Sequence, residues 1–335
     1  MSPIIALLLG LFLLFLGGEL LVKGSVSLAL KMRISTLVVG MTVVSFATSA
    51  PEFFVSLQAV LNGSNDIAFG NIIGSNIANI TLVLGVTALI FRVRISEETA
   101  SLNFPFLLSS SLLFGIVMHH YNGIPQTVGF LFIFLLLVFT GLLIGRSRKE
   151  NLTLPEDEVE LIEGASGDSL FKSLGFLIAG MFLLKFGADY LVDGTISIAK
   201  KFQISERVIA ATVVAIGTSI PELVTSIVAA IKKEDSLAVG NLVGSNIFNI
   251  LAVLGVVASI DGIAITETDI LSFDYSWMII ITFILGLFIY AFSKREISRS
   301  EGVILLLIYF SYLYFSLYPT IYNNIITKIS GIFDF

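Results

Sequence analysis

The sequence contains no cysteine, only two histidines and few charged side chains. The missing thiols exclude disulfides, thiolate metal sites, iron–sulfur clusters and cysteine nucleophiles. Charged residues make up 13% of the 335 positions and hydrophobic residues 56%, with a mean hydropathy of +0.97. The net charge of -6, without a basic tract, provides no electrostatic footprint for nucleic acid. These values predict a membrane protein whose partners are the lipid bilayer and cations or neutral solutes, and no nucleic acid.

Long apolar runs dominate the chain. Runs of about 20 residues match the hydrocarbon thickness of a bilayer when they form helices. Breaks at charged or turn-rich segments separate ten predicted spans, at 4–22, 36–61, 67–90, 103–119, 125–145, 173–199, 206–231, 236–260, 273–292 and 301–318. We therefore expect an all-α membrane fold rather than two soluble domains.

The lysines and arginines indicate the orientation of these spans. With the N-terminus outside, fourteen of the nineteen basic residues fall on the inner side, including Lys23 and Lys31 in a first inner loop. Basic residues stay preferentially on the cytoplasmic side. The distribution predicts a multi-pass protein of a prokaryotic plasma (inner) membrane, with both termini outside.

The two halves of the chain repeat each other at an offset of 170 residues. Residues 40–60 (GMTVVSFATSAPEFFVSLQAV) match 210–230 (AATVVAIGTSIPELVTSIVAA) at nine of twenty-one positions. Residues 66–85 (DIAFGNIIGSNIANITLVLG) match 236–255 (SLAVGNLVGSNIFNILAVLG) at twelve of twenty. The predicted divisions are a first five-helix repeat at 1–145 (motif 40–85), a cytoplasmic linker at 146–170 and a second repeat at 171–335 (motif 210–255).

Five spans per repeat imply that the second half enters the membrane in the opposite sense from the first. Inverted repeats are typical of secondary transporters, which bind substrate near the midplane where the halves meet. The duplication therefore predicts alternating access to a central site.

Two glutamates occupy equivalent places inside the predicted spans. A charge at the centre of a membrane helix costs about 2.5–3.5 kcal/mol, so the presence of Glu52 and Glu222 indicates a function. They are expected to converge at the pseudo-twofold axis, where a divalent cation between them would cancel their charges. Lys185 and Asp189, spaced i, i+4, are expected to neutralise each other. A double-carboxylate site without an opposing base predicts cation binding.

Oxygen-bearing residues follow the same repeat. Thr48 and Glu52 are spaced i, i+4, as are Thr218 and Glu222, which would place each pair on one helix face. Pro51 and Pro221 are expected to bend their helices and free backbone oxygen at that depth. Further hydroxyl and amide groups follow the same pattern, on Ser49, Ser75, Asn79, Ser219, Ser245 and Asn249. Hard cations such as calcium and sodium prefer such ligands.

These motifs resemble a known family. ATSAPE and GTSIPE, each followed by GNIIGSNIAN or GNLVGSNIFN, are similar to the alpha repeats of the calcium/cation antiporter superfamily. The resemblance covers essentially the whole chain and is greatest to compact prokaryotic sodium/calcium exchangers. It implies the sodium/calcium exchanger fold, calcium extrusion driven by sodium entry, and sliding of spans one and six over an eight-span core.

The resemblance also implies roles for individual residues. The calcium site would use Glu52, Glu222, Thr48 and Thr218. The sodium sites would use Ser45, Ser49, Glu52, Ser75, Asn79, Ala215, Ser219, Glu222, Ser245 and Asn249, with Ser45 and Ala215 acting through their backbone carbonyls.

One departure concerns Asn249, because several relatives, including potassium-dependent exchangers, have aspartate there. An amide supplies an oxygen ligand but no charge, which argues against potassium cotransport. Two carboxylates would balance one Ca²⁺, so three Na⁺ would leave one excess positive charge and exchange would be electrogenic at 3 Na⁺ to 1 Ca²⁺. The linker is too short for the large regulatory calcium-binding domains of animal exchangers, and the duplication within one chain favours a functional monomer.

Three other functions compete with sodium/calcium exchange. Proton/calcium antiport could use the glutamates as proton carriers, and the duplicated hydroxyl and amide ligands favour sodium only modestly. An enzyme such as an intramembrane hydrolase would need a nucleophile with a base, whereas cysteine is absent and both histidines lie at a span end. A cation channel usually assembles its filter from several subunits. We therefore expect a transporter without a cofactor, for which Ca²⁺ and Na⁺ are cargo.

Overall fold

The computed structural model describes residues 2–151, 169–201, 215–267, 269–292 and 295–322. Within these ranges the chain is almost entirely helical. The helices are α1 (Pro3–Met32), α2 (Thr36–Thr48), α3 (Ala50–Leu61), α4 (Asn65–Ile90), α5 (Thr99–Tyr121), α6 (Gln126–Asn151), α7 (Leu170–Lys201), α8 (Ala215–Thr218), α9 (Ile220–Ile231), α10 (Asp235–Asp261), α11 (Ile270–Phe292) and α12 (Arg299–Leu317).

The helices confirm an all-α, multi-pass membrane fold. In the described ranges, eight helices are long and apolar enough to cross a bilayer, and α2 with α3 forms a further span bent by 46°. These elements coincide with nine of the ten predicted spans. The remaining span, 206–231, is described from Ala215 onward as α8 and α9, and its first residues lie outside the described ranges, as does the acidic part of the predicted linker.

The first helix is longer than its predicted span. Instead of ending at Val22, α1 continues to Met32, so Lys23 and Lys31 belong to the helix and not to a loop. The prediction was wrong because it ended the span at the first lysine. A lysine near a helix end can keep its long stem on apolar surface and direct its charge to the interface. Here the Lys23 ammonium lies 4.9 Å from the ring centre of Phe176 on α7.

Helices α1 and α7 form an antiparallel pair with glycine at seven-residue intervals. Gly10 faces Gly187, Gly17 faces Gly180, and Gly24 faces the backbone of Ser173. A Cβ added at Gly180 would lie 2.7 Å from the backbone nitrogen of Leu21. Small residues allow membrane helices to approach this closely, and a seven-residue period keeps the same faces together along the pair.

Helices α4 and α10 occupy the centre of the molecule. In their most apolar 18-residue stretches, 78% and 72% of residues are buried, compared with 33% in α1 and 22% in α6. The end of α10 packs on α6, where Gly255 contacts Phe132. The end of α4 packs on α12 in the corresponding way, through Gly85 and Gly302. The sequence that the two repeats share thus forms the interior, and the outer helices present apolar side chains to lipid.

Two short antiparallel ladders connect the halves. The strand β1 (Val93–Arg94) pairs with β4 (Glu296–Ile297), and β2 (Gly123–Ile124) pairs with β3 (Ile263–Ala264). Paired strands must lie on the same side of the membrane. The predicted topology meets this requirement, because it puts β1 and β4 inside and β2 and β3 outside.

We expect the substitution Gly180→Ala to destabilise the protein, because its Cβ would meet the backbone of α1. Overpacking of this kind costs about 1–3 kcal/mol. The matched control is Gly175→Ala on the same helix, where the glycine is exposed and an added Cβ would meet no atom of another described element within 4 Å. The control should be neutral or gain up to about 1 kcal/mol, since alanine is the better helix former. Thermal unfolding in detergent measures both variants, and equal melting temperatures would contradict the close α1–α7 contact.

Candidate functional site

The site is built around two helix breaks at equivalent positions. Between α2 and α3 the backbone leaves the helical conformation at Ser49 (φ -82°, ψ 5°), and between α8 and α9 it does so at Ser219 (φ -88°, ψ 3°). Pro51 and Pro221 lie in the first turn of the helices that follow. Proline is tolerated there, because its missing N–H would have no helical partner. The predicted bends are therefore present, each located two residues before the proline.

Each break places a glutamate in the first turn of a new helix. Glu52 is the third residue of α3, and Glu222 is the third residue of α9. A helix N-terminus carries partial positive charge, which stabilises an acidic side chain. The last carbonyls of α2 and α8 carry the opposite partial charge at the same depth. Broken helices of transporters coordinate ions through such ends.

The two glutamates converge at one centre. Both are fully buried, and they lie close enough for like charges on them to repel. The Ser75 hydroxyl donates to Oε1 of Glu52 at 3.4 Å, and the Ser49 hydroxyl donates to Oε1 of Glu222, also at 3.4 Å. Ser49 thus reaches from the first repeat to the glutamate of the second.

Neither glutamate has a basic partner in the part of the chain that the structure describes. Lys185, near the middle of α7, pairs with Asp189 at 2.6 Å, as the sequence predicted. Two like charges in a poorly hydrated interior, without a counter-charge, favour the uptake of a cation or a proton.

The two threonines also cross between the repeats. The sequence predicted that Thr48 shares a helix face with Glu52, and Thr218 with Glu222. Instead, the Thr48 hydroxyl lies beside the carboxylate of Glu222, and the Thr218 hydroxyl lies beside that of Glu52. The i, i+4 prediction was wrong because the helix breaks between the two members of each pair.

Several buried oxygens of the predicted site residues have no hydrogen-bond partner among the described residues. They are Oε2 of Glu52, Oε2 of Glu222, Oγ of Ser219 and Oδ1 of Asn79 and Asn249. Leaving a buried polar atom unpaired costs about 1–3 kcal/mol. Unpaired oxygens of this kind are the ligands that a dehydrated hard cation takes. Among the described residues no cluster of three or more acidic or histidine side chains is present, so further ligands have to be neutral oxygens.

The other predicted site residues occupy distinct places. The Ser245 hydroxyl lies 3.3 Å from that of Thr48. The Ser45 side chain donates to the carbonyls of Gly40 (2.8 Å) and Asn241 (3.0 Å), and its backbone carbonyl, the predicted ligand group, accepts from the N–H of Ser49 at 2.9 Å. Ala215 is the first residue of α8, and its side chain lies outside the described part.

The second motif's glycines bring these residues together. A Cβ added at Gly240 would lie 2.5 Å from the carbonyl oxygen of Leu37, and one added at Gly244 would lie 2.3 Å from Oγ of Ser45. Helix α2 therefore packs with its backbone against α10. This approach brings Thr48 and Ser45 to the side chains and carbonyls of the opposite repeat.

Sequence reasoning missed a set of asparagines that support the site. The Thr48 hydroxyl donates to Oδ1 of Asn241 at 3.0 Å. The equivalent Asn71 donates to the carbonyl of Glu52 at 3.1 Å and to the hydroxyl of Ser56 at 3.0 Å. Both asparagines are identical between the repeats, in GNIIGSN and GNLVGSN, and this identity was the available signal.

Each central helix changes to a π-helical turn at a predicted ligand. These turns span Asn79–Val83 in α4 and Asn249–Leu254 in α10. π turns are frequent at functional sites, because they redirect side chains within a continuous helix. Both amide residues therefore begin an irregular segment, and these segments pack against the helices that carry the glutamates, the Asn249 turn on α3 and the Asn79 turn on α9.

Paired buried carboxylates at broken helices, where two inverted repeats meet, define a cation-binding secondary transporter. The sequence pattern of the sodium/calcium exchanger protein family matches residues 2–145 and 172–318, and the chain belongs to that family. It is therefore a cation/calcium antiporter by class, and the family is one of transporters rather than enzymes.

Individual relatives agree with this assignment. The putative antiporter CaxA of Alkalimonas amylolytica is 36% identical, over 92% of this chain and 97% of its own length. The sodium/calcium exchanger MaX1 of Methanosarcina acetivorans is 30% identical, over 92% and 96%. The inner membrane protein YrbG of Escherichia coli is 34% identical, over 89% and 92%. A structure of the sodium–calcium exchanger NCX_Mj, soaked without Na⁺ and Ca²⁺, superposes with a TM-score of 0.77 at 29% identity, over 92% of this chain and 96% of that one.

We expect Glu222→Gln to remove the stabilisation that the protein gains from Ca²⁺. A ligand at 100 times its Kd stabilises the folded state by about 2.7 kcal/mol, and loss of one of two carboxylates should abolish most of that gain. The measurement is the melting temperature in detergent with Ca²⁺ and with a chelator.

Glu301→Gln is the matched control for this experiment. Glu301 is also buried, but it accepts from the backbone N–H of Ser298 at 2.7 Å in a capping box at the start of α12. Its replacement should lower the free energy of unfolding by about 0.5–2 kcal/mol, and with it the melting temperature in both conditions. The Ca²⁺ response should stay intact. A normal Ca²⁺ response in Glu222→Gln would exclude Glu222 as a ligand.

Proposed function

We propose that this protein exchanges Na⁺ for Ca²⁺ across the membrane by alternating access. The observation that supports this most directly is the convergence of Glu52 and Glu222, each with an unpartnered oxygen and without a basic partner in the described ranges. The relatives named for sodium/calcium exchange favour the same pair of ions.

Shared carboxylates explain why the transport would be an exchange. One Ca²⁺ neutralises both glutamates and takes six to eight oxygen ligands. Na⁺ ions would use the same carboxylates together with the hydroxyls of Ser49, Ser75 and Ser219. Because both kinds of ion need the same two carboxylates, Ca²⁺ and Na⁺ cannot occupy the site together. They therefore bind in alternation.

The proposed stoichiometry is 3 Na⁺ to 1 Ca²⁺, independent of K⁺. The site has two formal negative charges, so it is neutral with Ca²⁺ and carries one positive charge with three Na⁺. Asn79 and Asn249 add oxygen but no charge. Calcium and sodium sites would comprise the residues assigned to them by family resemblance.

Proton/calcium antiport is the second candidate, supported by the free oxygen of each glutamate, which could carry a proton. Sodium is favoured because a proton needs one oxygen, whereas the site has additional unpaired oxygens on Ser219, Asn79 and Asn249. Those neutral groups have no function in carrying a proton.

We place the protein in the plasma (inner) membrane with both termini outside. The excess of basic residues on the predicted inner side supports this orientation. The pairing of β1 with β4 and of β2 with β3 agrees with the order of the spans, and YrbG is named as an inner membrane protein. A monomer is proposed as the working unit, because both glutamates come from one chain.

Radioactive calcium uptake into proteoliposomes tests the driving ion. We expect uptake with an outward Na⁺ gradient at equal pH on both sides and with a protonophore present, because Na⁺ leaving the site frees the glutamates for Ca²⁺. Glu52→Gln should be inactive. Uptake driven only by an outward proton gradient would contradict this prediction and would identify protons, instead of Na⁺, as the exchanged ions.

The charge of the cycle is tested in the same vesicles. Exchange of three Na⁺ for one Ca²⁺ moves one positive charge outward, so an inside-positive potential should increase calcium accumulation. At about 2.3 kcal/mol per charge per 100 mV, a potential of about 60 mV corresponds to about tenfold in accumulation at equilibrium. With the potential clamped by an ionophore other than a K⁺ carrier, replacement of K⁺ by choline should leave the rate unchanged. Accumulation independent of voltage would exclude the 3:1 ratio.

A further inference from the structure

Four buried asparagines lie on the two central helices as two repeat-equivalent pairs. Asn79 and Asn249 are the proposed amide ligands, and Asn76 and Asn246 lie one helical turn before them on α4 and α10. All four are essentially inaccessible, with exposures of 0–1%. The proposed function so far assigns no role to Asn76 or Asn246.

Asn76 bonds directly to one of the proposed ligands. The amide nitrogen of Asn249 donates to Oδ1 of Asn76 at 3.0 Å. The amide nitrogen of Asn76 in turn donates to the backbone carbonyl of Asn246 at 3.3 Å. Asn76 therefore donates a hydrogen bond to the backbone of α10 and accepts one from a side chain of the same helix.

This bond determines which end of the Asn249 amide is available. An amide has a donor and an acceptor end, and a cation attracts the oxygen and repels the NH₂ group. With its nitrogen directed to Asn76, Asn249 presents Oδ1, which is buried and without a partner. We propose that Asn76 is a positioning residue that holds the Asn249 amide with its oxygen toward the cation site. This inference rests on the proposed function, since it requires Asn249 to be a ligand.

The equivalent contact is absent from the other repeat. Asn246 donates to the carbonyl of Leu242 on its own helix at 2.9 Å. Both polar atoms of the Asn79 side chain are without a partner in the described structure. The arrangement is therefore specific to Asn249, and Asn246 serves as a matched reference.

A carboxylate at position 249 would make this positioning unnecessary. Both ends of an aspartate side chain are oxygens, so either orientation presents a ligand. The need for Asn76 should consequently depend on whether position 249 is an amide. A general packing role for Asn76 would not depend on it.

A double-mutant cycle between Asn76→Ala and Asn249→Asp tests the proposal. Calcium uptake driven by a Na⁺ gradient gives the Ca²⁺ concentration for half-maximal rate, separately from the maximal rate per folded protein. In the wild type, Asn76→Ala should raise that concentration about tenfold, as expected when one hydrogen bond that orients a ligand is lost. In the Asn249→Asp background the same substitution should change it less than about twofold.

The reference cycle combines Asn246→Ala with Asn249→Asp and should show the same change in both backgrounds. If Asn76→Ala does not fold, Asn76→Leu fills the volume without an acceptor and should show the same dependence on position 249. Equal effects of the Asn76 substitutions in both backgrounds would overturn the positioning role. Absence of calcium uptake in the wild type would instead refute the proposed function, so the two failures are distinguishable.

Discussion

The organisation of this protein depends on placing two carboxylates together in the membrane interior without a basic residue to neutralise them. Such a pair is costly in a region that hydrates charges poorly, and the described surroundings of Glu52 and Glu222 offer only hydroxyls, amides and helix ends. Each of these groups stabilises a carboxylate in part, and none removes the need for a counter-ion. The positive ends of α3 and α9 and the breaks at Ser49 and Ser219 are thus consequences of one requirement: to hold the anions in place while leaving some of their oxygens for a mobile cation.

Duplication meets this requirement, because the same sequence motif in each repeat supplies one half of the site. The contacts, however, do not stay within each repeat. Ser49 and Thr48 reach Glu222, Thr218 reaches Glu52, and Asn249 bonds to Asn76. The site therefore exists only when the halves are docked, which the glycines of α10 allow by admitting the backbone of α2. Small differences between the halves, such as the different partners of the Asn76 and Asn246 side chains, give two chemically equal motifs different local contacts.

Much of this architecture could be predicted from the sequence, because apolar length, positive charge and self-similarity are read directly from residues. Hydropathy located all nine described spans, most of them to within a few residues, and the repeat identified both glutamates. The end of α1 was misjudged because Lys23 interrupts the apolar run without ending the helix. The partners of Thr48 and Thr218 were wrong because helix periodicity does not extend across a break. Asn71, Asn76, Asn241 and Asn246 were overlooked because an asparagine in a small-residue motif indicates helix packing equally well. Only the three-dimensional contacts distinguish these roles.

The length of the α1–α7 pair has a mechanical consequence. A helix of 30 residues extends about 45 Å, whereas the hydrocarbon layer is about 30 Å thick. The two helices contact each other through backbone at Gly10, Gly17 and Gly24, but α1 meets α9 through the side chains of Val224 and Val228 at Gly18. The two helices of the pair are thus joined through backbone, whereas α1 meets α9 through side chains and through the ion pair of Glu19 with Lys232 (2.6 Å) at the end of α9. With apolar residues to spare at its ends, the pair can shift several ångströms along the membrane normal for a fraction of a kcal/mol per ångström of hydrophobic mismatch. The excess helix length would thus allow the α1–α7 pair to move along the membrane normal while the bilayer remains nearly undeformed.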